Sequence, residues 1–261
     1  MLLRVMSTPQ SQLPVRKKVV SLEMILASYR LFIGEVLQAA HQRQPGYVCF
    51  ANAHMAVEAM RDPSFAQMVN AATWTTADGV PLVWALRLLY GFRQERITGL
   101  DVLPTLLQEA AGHNLSIYFY GSTPEVLERS ADFCRLHHPS LVVAGMYAPP
   151  FRPLTVDEEA DVIERIRSSG ASLVFVALGC PKQEKWMATL SNRIPAVLLG
   201  VGGALPVTMG VQKRAPRWMQ LAGLEWLYRL LQEPRRLFLR YFITNTLFLY
   251  YLIKQWIQIR R

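Results

Sequence analysis

The chain predicts an α/β protein, a Rossmann-like parallel sheet flanked by helices, with a basic, aromatic helical appendage at its C-terminal end. Three observations carry this. Five short runs are almost wholly apolar, as strands covered on both faces of a parallel sheet must be. Helix-length segments with recognisable starts and stops lie between them, which is the βαβ rhythm. After about Gly210 the chain turns to arginine and aromatic residues, and no acid follows Glu233.

The elements follow in order. Residues 1–19 predict a flexible arm: their apolar stretch is too short for a secretory signal, and Arg4 interrupts it. The first strand is YVCFAN, 47–52. A β-prone run at 73–76 leads to Asp78-Gly79, and an apolar helix runs from Val80 to Tyr90. ERITGLD, 95–101, enters a further helix. The strand LSIYFYG, 115–121, precedes a helix with a Ser/Thr cap and Pro124 in its first turn. LVVAG, 141–145, is the third strand. The next helix has Thr155 as cap, Glu158 three residues on and Gly170 as stop. SLVFVALG, 172–179, then leads into a helix opened by PKQE, and AVLLGVG, 196–202, is the last strand. Residues 20–210 thus form the α/β domain and 211–261 the appendage. In the appendage YFITNTLFLYYLI, 241–253, contains Thr and Asn and lies between Arg240 and Lys254. It is shorter than the roughly 18 apolar residues of a spanning helix, and suits an interfacial one.

Bulk composition narrows the function classes. The 261 residues, 51% hydrophobic, are enough for one large domain with an appendage. With 28 basic and 19 acidic residues the formal charge is +9, which calls for an anionic partner: nucleic acid, membrane surface or phosphorylated substrate. An RNP-type strand and a helix-turn-helix signature are both missing, so a nucleic-acid-binding module is the weaker class. Cys49, Cys134 and Cys180 match neither a CxxC nor a zinc pattern and read as reduced thiols. DxD and HExxH are absent, and no metal site is expected.

Ligands of parallel α/β sheets bind at the carboxyl ends of the strands. There the sequence places Asn52 and His54, Asp78, Gly121 in YGSTPE, Lys182, Gln183 and Glu184 in GCPKQEKW, and Gly202 in GVGGALP. GSTPE and GVGGA offer small residues whose backbone N–H groups can approach a diphosphate, and Gln183 can read a base or ribose. Neither GxGxxG nor GxxxxGK[ST] is present, and each glycine stretch reads equally as a turn into a helix. Asp78 is either a turn or cap residue or a general base. Arg96 is either a phosphate ligand or half of a surface ion pair with Glu95 or Asp101. His54 reads as a packed or surface histidine.

The ordered set ANAHM, ADGVPLVWA, ERITGLD, YFYGSTPE, VALGCPKQEKW, GVGGAL, RAPRWM and GLEWLYRLLQEPRRL closely resembles the WecG/TagA/CpsF family of bacterial glycosyltransferases, glycosyltransferase family 26, over residues 20 to 240. The resemblance implies inverting, metal-independent transfer, without a cofactor, from a UDP-sugar to a polyprenyl-diphosphate-linked saccharide. It places the protein peripherally at the cytoplasmic face of the bacterial inner membrane, in synthesis of exopolysaccharide, capsule, teichoic acid or common antigen. It makes Asp78 the base, Asn52 part of the sugar site, Gln183 a nucleotide contact, and Arg96 a ligand of acceptor phosphates or departing diphosphate. Arg229 and Arg236 then belong to an appendage that closes over the site. The resemblance leaves room for a homo-oligomer with a pocket at the subunit interface. Phe50 departs from the pattern, since many members carry Thr two residues before the asparagine. Independently of the family, Arg217, Arg229, Arg235, Arg236 and Arg240, interleaved with Trp218, Trp226, Phe238 and Tyr241, suit an anionic membrane surface. The competing reading is a packed C-terminal helix with core aromatics and solvated arginines. A third class is an inactive nucleotide-sugar-binding scaffold, against which Asp78, Arg96 and Gln183 stand.

Overall fold

The computed structural model describes residues 15–261. It opens on an antiparallel hairpin, β1 (Arg16–Val19) and β2 (Leu22–Ile25), followed by α1 (Tyr29–His41). The expected arm therefore ends earlier than residue 19, and its first 14 residues lie outside the described ones. A Rossmann-like unit follows: β3 (Gly46–Ala51), α2 (Ala53–Arg61), α3 (Pro63–Asn70), β4 (Trp74–Ala77), α4 (Val80–Tyr90), α5 (Gly99–Gly112), β5 (Ile117–Gly121), α6 (Pro124–His137), β6 (Val143–Tyr147), α7 (Val156–Ser169), β7 (Leu173–Ala177), α8 (Lys182–Leu190), β8 (Val197–Gly200) and α9 (Ala204–Thr208). Three helices complete the chain: α10 (Arg217–Leu221), α11 (Glu225–Gln232) and α12 (Pro234–Arg260).

Six strands form one parallel sheet in the order β4-β3-β8-β7-β5-β6. Alternate side chains feed two cores. Tyr47, Cys49 and Ala51 of β3, Val174 and Val176 of β7 and Leu198 of β8 face the core that α2, α4, α7 and α8 cover. Val48 and Phe50, Leu173 and Phe175, and Val197 and Leu199 face the core under α1, α5, α6 and α9. This two-sided burial explains the unbroken apolar runs: each fully buried Val, Leu or Phe gains about 1.5–3 kcal/mol. Phe119 and Phe175 stack across β5 and β7 at 5.6 Å.

The strand order positions the site. β3 is followed by a helix on one face and its neighbour β8 by a helix on the other, so a crevice opens between their carboxyl ends.

The C-terminal helix is partly core. Phe248 and Leu252 are buried in the same cluster as α2 and α4. Gln255 fastens its far end: Val20 N donates to Gln255 Oε1 at 2.7 Å, and Gln255 Nε2 donates to the Lys18 carbonyl at 2.9 Å. Its opposite face has no partner among the described residues. Leu239, Phe242, Tyr250, Ile253 and Ile257 are exposed and recur three, four or eight residues apart, a single apolar stripe at helical spacing. Packed helix and exposed apolar face therefore coexist in one element.

Candidate active site at the ends of β3 and β4

Asp78 sits one residue beyond β4, where the chain turns back against β3. The amides of Asp78 and Gly79 both donate to the Ala51 carbonyl, at 2.9 and 3.1 Å. A Cβ on Gly79 would lie 3.2 Å from Cα and Cβ of Asn52, so glycine lets the Asp-Gly corner press against the end of β3. Asn52 itself caps α2, its Oδ1 accepting from Met55 N at 3.1 Å. Two of the expected site residues thus meet by backbone geometry alone.

Arg96 is delivered by the segment between α4 and α5. Ile97 N donates to the Ala77 carbonyl at 3.1 Å and Thr76 Oγ1 donates to the Ile97 carbonyl at 3.0 Å, which ties this segment to β4. Thr98 then caps α5. Arg96 Nη2 donates to Glu225 Oε2 of α11 at 2.5 Å, rather than pairing with Glu95 or Asp101. Arg214 joins the other side: it binds Asp101 Oδ1 at 2.5 Å, and its Nε lies 3.5 Å from Glu225 Oε1.

These charges converge on Asp78. Burial raises its carboxyl to about 7; Arg96 and Arg229 pull it down, and Glu225 and Asp101 push it up. Removal from water outweighs the two cations, which leaves a carboxyl near the pH at which a general base works best.

Beside Asp78 lies a cleft of about 190 Å³ between α9, α11 and α12, with Gly203, Arg214, Arg229, Arg236, Arg240 and Tyr241 among its walls. Asp78 is not part of those walls. Glu225 and Arg229 connect the two, since both line the cleft and both act on the Asp78 charge. Arg229 points at the loop after β8, where a Cβ on Gly203 would lie 3.7 Å from its Nη2. Arg236 is exposed and held by Glu233 at 2.7 Å.

The other expected residues stand apart from this charged group. Gln183 is buried and both ends of its amide are engaged: Oε1 accepts from Gly179 N at 3.1 Å, and Nε2 donates to the Gly200 carbonyl and to Glu184 Oε1, each at 2.8 Å. With its amide committed to the protein, it fastens the loop after β7 to the end of β8 instead of presenting an edge to a base. Gly202, at φ +46°, follows from this, because a Cβ there would lie 3.1 Å from Gln183 Oε1. Gly121, at φ +103°, serves strand packing: its Cβ would fall 2.7 Å from the Ala177 backbone. Phe50 packs into the core edge-on to Phe32 at 6.4 Å and beneath Gly99. His54 is half-buried, with its pKa lowered by burial and by Arg240.

Sequence reading missed Glu225, Arg214, Asp101 and Arg240 as members of the charged group. Asp101, Arg214 and Glu225 lie in the stretches ERITGLD, RAPRWM and GLEWLYRLLQEPRRL, and Glu225 also stands four residues before Arg229, hence on the same face of α11.

Comparison with known proteins adds the chemistry. Residues 18–261 match the model of the glycosyl transferase WecG/TagA/CpsF family. A Bacillus spizizenii protein named N-acetylglucosaminyldiphosphoundecaprenol N-acetyl-beta-D-mannosaminyltransferase is 32% identical over 196 residues, which cover 75% of this chain and 74% of that protein.

Proposed function

Because the chain belongs to the WecG/TagA/CpsF family of glycosyltransferases, we propose that it moves a hexosyl group from a UDP-sugar to a polyprenyl-diphosphate-linked saccharide, with inversion and with Asp78 as general base. The observation that carries this reading is Asp78 itself: a carboxyl raised to about 7 by burial, at a strand end, faced by two arginines.

The chemistry follows from that position. The Asp78 carboxylate takes the proton of an acceptor hydroxyl as the oxygen attacks the anomeric carbon. The bond from that carbon to the diphosphate oxygen breaks, and UDP departs with the electron pair. Arg96 and Arg229 oppose the charge that gathers on the diphosphate. The cleft walls bring further arginines for the acceptor diphosphate, and Asn52 borders the sugar. Gln183 and Gly202 act one step back, by fixing the loops that form the crevice floor.

The relative's name supports this class of acceptor: that protein is named as transferring N-acetylmannosamine to N-acetylglucosaminyldiphosphoundecaprenol. Carried to this chain, it supports a role in bacterial cell-surface polysaccharide synthesis. Attachment to the cytoplasmic face is peripheral in this reading. Among the described residues no helix is long and apolar enough to cross a membrane. The exposed stripe of α12, flanked by arginines, supports adsorption to an anionic interface, with about 1 kcal/mol from each basic residue near the surface.

The test is a panel of UDP-sugars against short-chain polyprenyl-diphosphate-linked acceptors, with and without EDTA. One donor is consumed in both arms if the reading is right. Consumption of none, or of one only without EDTA, overturns the transfer or its metal independence respectively.

A further inference from the structure

Helix α11 covers the site without contributing to either core: none of its residues is buried, whereas α12 after it buries Leu237, Thr244, Phe248 and Leu252. Its attachment on the site side is ionic. Glu225, in its first turn, bridges Arg96 and Arg214.

That bridge is uneven. Oε2 makes a short bond to Arg96, but Oε1 has no hydrogen bond although it is shielded from solvent, and the Arg214 Nε facing it at 3.5 Å has none either. One carboxylate spans two guanidinium groups and satisfies one. A diphosphate carries more oxygens over a longer span and can pair with both. Arg229, four residues after Glu225 on the same face, lines the same cleft and forms no ion pair among the described residues.

We propose that Glu225 is a carboxylate placeholder for substrate diphosphate: in the empty protein it occupies Arg96 and Arg214, and an entering diphosphate displaces it while Arg229 takes over the hold on α11. The exchange keeps the cations neutralised and the helix in place before substrate arrives, at the expense of some affinity. It rests on the transfer reading for the identity of the anion, and on the observed ion pairs for the competition.

The test titrates inorganic pyrophosphate into the full chain by calorimetry, with no sugar present. Glu225→Gln removes the competing charge and should bind pyrophosphate about tenfold more tightly, a gain of roughly 1.4 kcal/mol. Glu225→Asp keeps the charge on a shorter arm and should fall between the two, which leaves a usable variant if the glutamine form does not fold. Adding Arg96→Gln to Glu225→Gln should abolish the gain. A purely structural Glu225 predicts the opposite sign, because Arg96 and Arg214 would lose their positioning. Binding by both variants equal to or weaker than the parent's, or a gain that survives loss of Arg96, overturns the proposal. A protein that shows the gain but consumes no UDP-sugar retains the placeholder and loses the transfer reading; one that transfers sugar without the gain does the reverse.

Discussion

Two strand-end regions of one sheet have opposite characters. At β7 and β8 the polar residues turn inward: Gln183 is bonded to Gly179, Gly200 and Glu184, and burial raises the Glu184 carboxyl above the usual carboxylate range. At β3 and β4 they form a half-buried, ion-paired group of Asp78, Arg96, Glu225, Arg214, Asp101 and Arg229. The first has its Gln183 amide spent on the protein, although Glu184 Oε2 stays buried without a hydrogen bond. The second holds ion pairs that an anion can exchange and a carboxyl whose proton is exchangeable near neutrality. Position at a strand end makes a residue available to a ligand; whether its bonds are already spent decides between scaffold and chemistry.

Asp78→Asn breaks the charged side most severely. It should lower turnover about 10²–10⁴-fold, the range of a lost general base, while UDP binding measured by calorimetry stays within a few-fold. The same variant has a stability signature. A carboxyl raised above its unfolded value holds its proton more tightly when folded, so its contribution is present below about 4 and is lost as pH rises through about 7. Asp78→Asn should therefore melt higher than the parent at pH 8 and close to it at pH 4.

Arg229→Gln tests the cations next. Loss of one preorganised charge on the departing diphosphate should cost about 10²-fold in kcat/KM, measured by release of UDP.

The β7 and β8 side should answer in stability. Gln183→Leu leaves the buried Gly200 carbonyl and the half-buried Gly179 amide without their partner, and should cost about 2–4 kcal/mol in chemical denaturation, with proportionately little change in KM of the molecules that survive folded. Were KM for the UDP-sugar to rise tenfold with stability intact, Gln183 would belong to the nucleotide site after all. Gln255→Ala, remote from both regions, removes two hydrogen bonds to the hairpin and should cost about 1 kcal/mol.

The reach of the sequence follows the range of the interactions. Strands β3, β5, β7 and β8 were legible because burial on two faces leaves no room for polar residues, and α4, Val80–Tyr90, because Gly91 stops an apolar run; the half-buried edge strand β6, Val143–Tyr147, starts two residues later than the run 141–145. Strand β1 was not: RKKV is charged, and its two-residue turn, Val20-Ser21, lacks the usual Gly or Asn although Val20 stands at φ +59°. Asp78 and Asn52 were legible as residues of one sheet edge, because parallel strands bring their carboxyl ends to the same side; that they are neighbours comes from the pairing of β3 with β4. The pairs Arg96–Glu225 and Arg214–Asp101 were not, since they join residues 129 and 113 positions apart through an appendage whose docking no local pattern encodes. Gln183 was found as a residue of the edge, but nothing local says that a glutamine turns inward toward two backbone groups.

The most direct test of Asp78 as the base is the pH dependence of kcat/KM for sugar transfer to a soluble polyprenyl-diphosphate acceptor. With the carboxyl held near 7, the rate should rise tenfold per pH unit below that value and level off above it, and the residual rate of Asp78→Asn should lack this limb. A limb near pH 4, or one near 7 that persists in Asp78→Asn, would assign the proton transfer to another group.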